Sequence, residues 1–426
     1  MESASLRGQL PTIRSAILWR NHAFLRLWTA QSVSAFGSQI TAVALPLTAV
    51  VTLGASVQQM AALSVAWSAS GLAAGLLAGW LADRFSRRAI LVTTDVVFAI
   101  VAGSIPAAAA LGRLNMTQLF LVQIVSGATA MMATVAGQAF LPGLVARTSL
   151  VEANARLQVS SSTAASGGPL LGGVLVEALS APMAILVDAV SFALSGLLIS
   201  SIPAPTPTEP PPPKVPFHLE TVLSGLDYVL RHRFMRPLAA ALATHFLFAA
   251  MLSSVFVLFA TRDLGLRPAL IGSIFGGMGV GLLVGSIGAL PAARRWGVGR
   301  AMLLGTVLVA VSAAIVPVSA SVPKILTPLL LVPAYAMLGT GIQLGGINVV
   351  SLRQAMTPDR LQGRMTAAFR LLNLGLAAAG AGVAAALASH TGLVPILWIA
   401  ALGLWLPPAV VIGSGLIRAG TEAEVL

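Results

Sequence analysis

The residues best suited to chemistry in this chain are charged groups in one short segment. Asp83 is followed by Arg84, Arg87 and Arg88, and the segment begins at Gly79. An acid and three bases so close together can make charge-assisted hydrogen bonds to a neighbouring helix end in one conformation and break them in another. The pattern predicts a conformational latch. The alternative is that these arginines only hold the segment on the cytoplasmic side of a membrane, as basic loop residues commonly do.

A second group combines proline with small residues. Gly168 and Pro169 are followed by Gly172 and Gly173. Proline removes a helix hydrogen bond and bends the helix, while glycine lets a partner helix pack against the bend. We expect a hinged helix here, and the alternative is the general abundance of Gly and Pro in membrane helices.

Charge is costly inside long apolar runs, so ionisable side chains there are candidates for function, and we consider four of them. They are Asp95, Glu177, Asp188 and His245. A buried carboxylate can load and release a proton as its exposure changes, so Asp95 and Asp188 are the candidates for proton coupling. The alternatives are that Asp95 pairs with the loop arginines and that Asp188 contacts an interface. Glu177 is expected near the membrane surface and His245 as a packed polar residue.

The sequence lacks the common motifs of enzyme chemistry. It has no cysteine, which excludes disulfides, thiolate metal sites and cysteine nucleophiles. Its two lysines, Lys214 and Lys324, both follow proline, so there is no glycine-rich nucleotide loop with a lysine. Neither H-E-x-x-H nor G-x-S-x-G occurs. We expect no enzyme activity, no cofactor and no metal.

The elements that must position these groups are long apolar segments. Apolar residues are 57% of the 426 and charged residues 9%, against about 25% charged in soluble domains. The net charge of +12 does not indicate a nucleic-acid partner, because the basic residues lie between the apolar runs. The composition predicts an all-α integral membrane protein, since backbone polar groups in lipid must be satisfied within helices.

Twelve segments approach the ~20 apolar residues that cross a bilayer. The first six are predicted at 27–51, 60–81, 89–111, 118–141, 157–179 and 183–202. The second six are predicted at 237–260, 269–290, 301–320, 325–350, 365–388 and 393–417. With the N-terminus inside, only four of the 25 basic residues fall outside, namely Arg113, Arg262, Arg267 and Lys324. Both termini are therefore expected in the cytoplasm.

A proline run divides the chain near its middle. Residues Pro210 to Pro213 indicate a stiff linker, and apolar residues at helical spacing between 219 and 230 indicate an amphipathic surface helix or, alternatively, a frayed loop end. The expected organisation is a cytoplasmic segment at 1–26, a six-helix bundle at 27–202, the linker and amphipathic helix at 203–236, a second bundle at 237–417 and a cytoplasmic tail at 418–426.

The two halves carry an internal repeat. Three glycines recur 206 residues later: Gly71, Gly75 and Gly79 correspond to Gly277, Gly281 and Gly285. Small residues at every fourth position let helices approach closely in lipid. The constant displacement predicts two pseudo-symmetric six-helix bundles, as in many secondary transporters.

The motifs resemble those of a known family. Residues 79–88 are similar to G-x-x-x-D-R-x-G-R-R, a signature of the major facilitator superfamily between its second and third helices, with Ser86 in place of a glycine. Residues 168–173 resemble the G-P-x-x-G-G signature of its proton-coupled exporters. Gln123 stands where those exporters often carry arginine. With similar stretches such as 358–364, the chain resembles the enterobactin-exporter-like, drug-efflux branch.

This resemblance implies the major facilitator fold, with twelve transmembrane helices. It implies that Asp83 and the arginines after it close the cytoplasmic side, and that helices one, four, seven and ten line a central substrate cavity. Polar or aromatic residues at suitable depth are the cavity candidates: Gln31, Gln39, Gln123, His245, Phe248, Gln343 and Asn348.

The sequence therefore predicts a secondary transporter of the bacterial cytoplasmic membrane. It is expected to export a small amphipathic molecule, a drug-like compound or a siderophore, in exchange for protons by alternating access. Its expected partners are the substrate, protons and the lipid bilayer, with no nucleic acid, and the protein is expected to be a monomer. The alternatives are a transport-inactive sensor or scaffold with the same fold, which Gln123 leaves open, and an importer.

Overall fold

The computed structural model describes residues 18–146, 149–203, 227–357 and 361–417. The predicted proline linker, most of the N-terminal segment and the C-terminal tail lie outside these ranges. Only the end of the predicted amphipathic helix is described: residues 227–231 are helical, and Arg231 contacts Asp227 at 2.7 Å.

The first half of the chain forms six long helices. They are α1 His22–Leu47, α2 Val57–Arg84, α3 Arg87–Ala110, α4 Met116–Phe140, α5 Leu150–Leu179 and α6 Ala181–Ser200. Polar side chains mark where several begin: Asn21 caps α1, Ser86 caps α3 and Asn115 caps α4. At the start of α2, the Ser56 N–H donates to the Gln59 side-chain oxygen, and the Gln59 N–H donates to the Ser56 hydroxyl. Such caps satisfy donors that a helix leaves unpaired at its start.

The second half repeats the arrangement. Its helices are α7 Met235–Leu258, α8 Pro268–Trp296, α9 Val298–Val318, α10 Thr327–Met356, α11 Gln362–Thr391, α12 Leu393–Gly403 and α13 Leu406–Gly413. The predicted last span is one apolar stretch long enough to cross a membrane, Leu393–Gly413, within which a turn at Leu404 and Trp405 separates α12 from α13. Pro407 and Pro408 have no N–H to donate to the carbonyls one turn earlier, which ends the helix.

Ten helical stretches in the searched, described residues are long and apolar enough to cross a membrane. The described residues contain helices and turns and no strand. α2 and α5 are the long helices not counted among the ten. In α5 the first turns are polar, with Glu152, Asn154 and Arg156. Together the long helices form the predicted all-α membrane architecture.

The same helix pairs pack in both halves. α1 packs against α5 and α6, α2 against α4, and α3 against α4 and α6. In the second half, α7 packs against α11 and α12, α8 against α10, and α9 against α10 and α12. The two halves meet mainly where α5 packs on α8 and α2 packs on α11. The pairs correspond when each helix number is increased by six, which is the predicted pseudo-symmetry.

The predicted glycine repeat lies at equivalent contacts. Gly71 and Gly75 face α4, while Gly277, Gly281 and Gly285 face α10. Because these residues lack a side chain, the helix backbones can approach closely at both places. The side-chain surroundings of residues 76–83, which include Gly79 and Asp83, lie outside the described part.

We expect alanine at Gly281 to destabilise the protein. A Cβ there would lie 2.7 Å from the Ala336 carbonyl carbon and 2.9 Å from the Thr340 nitrogen, and overpacking of this kind costs about 1–3 kcal/mol. The melting temperature in detergent should fall for Gly281→Ala. The matched control is Gly346→Ala on α10, because a Cβ there meets no atom within 4 Å. Equal melting temperatures would contradict the close packing.

A second repeat, not predicted from the sequence, lies at the ends of α1 and α7. Each helix passes into one π-helical turn, at Thr48–Thr52 and Phe259–Asp263. Each turn is followed by a leucine and then by a glycine, Gly54 with φ +65° and Gly265 with φ +64°. Glycine is favoured there because a left-handed φ is strained for other residues.

The buried core distinguishes the two ends of the molecule. Around the π-helical turns one continuous cluster joins both halves, and Val50, Ala55, Phe256 and Phe259 belong to it. At the opposite end the described buried residues form separate clusters, one within 18–202 and two within 229–416. We call the end with the π-helical turns the closed end and the opposite one the open end.

Candidate functional site

A cavity of about 660 Å³ lies in the first half of the molecule. Its described lining comes from all six helices α1 to α6. Its wall is mainly apolar in area, with many hydroxyl and amide side chains among the lining residues, including the predicted candidates Gln31 and Gln123. Its size is within the range of small-molecule sites in proteins.

Two carboxylates are the charged groups in the described lining of this cavity. They are Asp95 on α3 and Asp188 on α6, and the described lining contains no Lys, Arg or His. Neither carboxylate makes an ion pair within the part of the chain that the structure describes. The sequence indicated Asp95 and Asp188 independently, because a charge is costly in an apolar run. The structure places both in the lining of one cavity.

Asp188 is fully buried between α6 and α1. The Ser191 hydroxyl lies 2.8 Å from the Asp188 carbonyl oxygen and 3.3 Å from its Oδ1, so it can donate to either. Oδ2 makes no hydrogen bond within 3.5 Å, although the Thr41 side chain on α1 faces this carboxylate. Across the helix contact stands Gly37, where an added Cβ would overlap Ser191 Oγ and Asp188 Oδ1. A glycine at 37 thus makes room for the carboxylate.

Asp95 is also buried, but one of its carboxylate oxygens has a hydrogen-bond donor from another part of the chain. Ser195 Oγ donates to Asp95 Oδ2 at 2.6 Å. Ser195 lies two helical turns beyond Asp188 on α6, on the same face. One face of α6 therefore carries Asp188 and, through Ser195, holds Asp95. The alternative in which Asp95 pairs with the loop arginines is not seen among the described residues, where Asp95 makes no ion pair and Arg88 donates to the Ser200 carbonyl oxygen.

The arginines near the latch segment bind the end of α6. Arg88 donates to the Ser200 carbonyl oxygen, and Arg26 donates to the Ser201 carbonyl oxygen at 2.5 Å. Free carbonyls at a helix C-terminus favour cations. Arg84 and Arg87 are exposed. Ser86, which departs from the family signature, accepts a hydrogen bond from the Ala89 N–H and so caps α3.

The glycine and proline motif lies where α5 contacts two helices. Gly168 and Gly172 face α1, and Gly173 faces α8 in the other half. On α8, Gly272 meets the backbone at Pro169 and Gly173. α5 continues as one helix through Pro169. The motif thus forms a close backbone contact between the two halves.

The other cavity candidates lie elsewhere. Gln39 packs against α5, Phe248 against α12 and Gln343 against α8. The Asn348 side chain donates to a carbonyl of its own helix α10 at 2.8 Å. His245 stands beside Phe246 on α7. These residues are outside the described lining of the cavity in the first half.

Polar contacts join the halves at the closed end. Arg262, at the end of α7, donates to the carbonyl oxygens of Gly54 at 3.1 Å and Ala55 at 2.6 Å. Glu177 on α5 lies 3.7 Å from Arg267 and accepts from the Ala269 N–H at 3.3 Å. The sequence indicated only that Arg262 and Arg267 lie in loops on the same side of the membrane.

Comparison with known proteins identifies the family. The family model described as Major Facilitator Superfamily matches residues 27–381. The chain belongs to the major facilitator superfamily. No curated protein matches it. As a member of this superfamily, it is a multi-pass membrane protein with a transporter fold, which implies a small-molecule substrate and a lipid environment.

Solved structures share the fold of this major facilitator at low sequence identity. One is a bacterial homologue of the iron transporter ferroportin in an inward-facing state, with a TM-score of 0.71, 17% identity and coverage of 92% of this chain and 98% of that one. Another is a mutant of the nucleoside transporter NupG, with a TM-score of 0.74, 14% identity and coverage of 93% and 100%. A third is a POT family transporter in complex with 5-aminolevulinic acid, with a TM-score of 0.70, 13% identity and coverage of 91% and 95%.

Proposed function

We propose that this major facilitator exports a small amphipathic molecule across the cytoplasmic membrane in exchange for protons. The observation that carries the proposal is the pair of buried carboxylates, Asp95 and Asp188, lining a cavity whose described wall has no cation. An unpaired carboxylate in an apolar bundle is costly unless a proton or a cation neutralises it. A cavity that opens alternately to the two sides of the membrane can therefore exchange a proton bound to these carboxylates for a cation.

The direction of the open end follows from the charge distribution. All but four of the 25 basic residues are assigned to the cytoplasmic side when the N-terminus is inside. In that orientation the closed end, with Gly54 and Gly265, faces outward, and the open end faces the cytoplasm. Such a conformation would admit an exported molecule from the cytoplasm. The Pro-rich linker, the surface helix and both terminal segments would then lie in the cytoplasm.

Transport in proteoliposomes tests this proposal. Vesicles with an acidic lumen are mixed with ethidium, a permanently charged amphipathic dye, and its accumulation is followed by fluorescence and compared with that in protein-free vesicles. An exporter that exchanges its substrate for protons should accumulate dye as protons leave the lumen. An importer that moves both in one direction would expel it. Accumulation that persists after nigericin removes the pH gradient would rule out proton exchange.

The carboxylates should be needed for this gradient-driven accumulation. Asp188→Asn and Asp95→Asn remove the exchangeable charge, so each should lower the rate by roughly a hundredfold, which corresponds to about 2.7 kcal/mol. The matched control is Asp227→Asn, because that carboxylate is exposed and, among the residues that the structure describes, pairs with its helix neighbour Arg231. Normal accumulation by both cavity variants would refute their role. Absence of flux in every vesicle, wild type included, would favour the sensor or scaffold alternative.

A further inference from the structure

We propose that the segment leading into α7 binds the headgroup of an anionic phospholipid at the open end of the molecule. The segment is residues 229–236, which we call the second elbow, and the groups that hold the lipid phosphate are Arg233 and Arg236. Neither residue belongs to the described lining of the cavity. The inference goes beyond the proposed function, because it depends neither on the transported molecule nor on the direction of transport.

The inner side of the second elbow is fixed to the second half. Val229 and Met235 are fully buried and belong to the core cluster at this end. Just before the elbow, the Tyr228 hydroxyl donates to the Met356 carbonyl oxygen at the end of α10, at 3.2 Å. His232 Nδ1 accepts hydrogen bonds from two N–H groups at the start of α7, at 3.2 and 3.3 Å, which caps that helix. These contacts hold the outer side of the elbow in a defined position.

The outer side combines exposed cations with an exposed apolar side chain. Arg233 and Arg236 are exposed, and Leu230 in the same segment is 56% exposed. The Arg233 guanidinium lies 5.2 Å from the centre of the Phe234 ring, so this cation is held against the elbow itself. At a membrane surface, apolar side chains enter the acyl boundary while arginine reaches the phosphate groups. The second elbow has both parts of such an anchor.

The charge of this segment is not balanced within the described part of the chain. Arg231 contacts Asp227 at 2.7 Å, whereas Arg233 and Arg236 make no ion pair with any described residue. Residues 227–236 carry three arginines and one aspartate, which leaves a net charge of +2. A guanidinium binds phosphate through several N–H donors in one plane. Lipid phosphates at the same depth can therefore supply the counter-charge that these two arginines lack.

The first half has an equivalent elbow with less charge. Residues 18–25 correspond to residues 229–236 at a constant displacement of 211. Both segments begin with a buried apolar side chain and bury another one six residues later, and Asn21 caps α1 where His232 caps α7. The first elbow contains a single arginine, Arg20, against three in the second. The two elbows share their local structure and differ in charge, so the first is an internal comparison for the second.

Fluorescence quenching by labelled lipid tests the inference. The chain has no native cysteine, so Leu230→Cys places a single bimane fluorophore on the second elbow. The full chain is put into phosphatidylcholine nanodiscs that contain traces of phosphatidylglycerol or phosphatidylcholine with a spin label near the headgroup. Phosphatidylglycerol should associate roughly thirtyfold more strongly than phosphatidylcholine, because two basic residues attract its anionic headgroup. High salt should reduce this preference.

Variants assign the preference to the two arginines. In the reporter chain, Arg233→Gln combined with Arg236→Gln should remove most of the preference for phosphatidylglycerol. The matched control is Arg294→Gln combined with Arg295→Gln at the end of α8, because these arginines are also exposed and their loss changes the net charge equally. The control pair should keep the preference. Both double variants should melt at the temperature of the reporter chain, since only exposed side chains are changed.

Three results would overturn the inference. The first is equal quenching of the Leu230→Cys reporter by the two lipids. The second is an equal loss of preference in both double variants, which would show a general attraction of lipid to a basic surface. The third is an equally strong preference at a Trp19→Cys reporter, where the native side chain is 44% exposed on the first elbow. With one arginine in that elbow, the expected preference there is only about fivefold.

Discussion

Alanine at Gly173 is expected to hold the two halves apart at the closed end and to abolish most transport. A Cβ at this position would lie 2.9 Å from the Gly272 Cα and 3.0 Å from the Ala269 Cα. Both neighbours are backbone atoms of α8, so no side-chain rotation can relieve the contact. A penalty of about 1–3 kcal/mol that acts only on the closed arrangement changes the ratio of conformations roughly 5- to 150-fold.

The measurement uses the absence of native cysteine. A single Ala55→Cys reporter is fully buried in the core that joins the halves at the closed end. Its labelling by a membrane-impermeant maleimide added outside cells should rise sharply in the Gly173→Ala background. The control is Gly167→Ala on the same helix, where the nearest atom, Phe36 Cε1, is 3.8 Å from the added Cβ. Unchanged labelling with lost folding would show that Gly173 serves stability alone.

Much of the architecture follows from the sequence because lipid restricts it strongly. Backbone groups in hydrocarbon must pair within helices, so apolar length predicts most of the spans, α2 and α5 being the long helices that do not meet that criterion in the described residues. Gly277, Gly281 and Gly285 recur at helical spacing, and close helix contact is the main use of such a pattern in membranes. The break between α12 and α13 also had a visible signal, since Pro407 and Pro408 stand inside the predicted span.

The composition of the site was less predictable. Asp95 and Asp188 are identified by their cost in apolar runs, but their common cavity depends on how each helix is rotated. The polar residues of α1 are spread around its circumference, so the sequence does not indicate which face is inward. Gln31 and Ser38 line the cavity, whereas Gln39, about 100° further round the helix than Ser38, faces α5. The two π-helical turns were likewise not predicted, because no residue pattern in the sequence indicates them.

Removing the Arg262 side chain should also favour opening of the closed end, through loss of polar contacts. Arg262 donates two hydrogen bonds to the Gly54 and Ala55 carbonyls of the other half. Charged hydrogen bonds contribute about 1.5–3 kcal/mol when buried, but this guanidinium is exposed, and solvent reduces the expected value to about 1 kcal/mol. Arg262→Ala should therefore raise maleimide labelling of the Ala55→Cys reporter roughly fivefold.

Two further variants separate geometry from charge at this contact. Arg262→Lys keeps the charge but replaces the guanidinium Nη2, which donates to both carbonyls, with an ammonium of different reach and geometry, so its labelling should lie between wild type and alanine. Arg267→Ala removes an ion pair with Glu177 at 3.7 Å whose side chains are 79% and 40% exposed, and exposed pairs of this kind contribute little. If Arg267→Ala opens the closed end as much as Arg262→Ala, general surface charge holds the halves together. If only Arg262 matters, the closed end depends on one arginine recognising the turn after α1 in the opposite half.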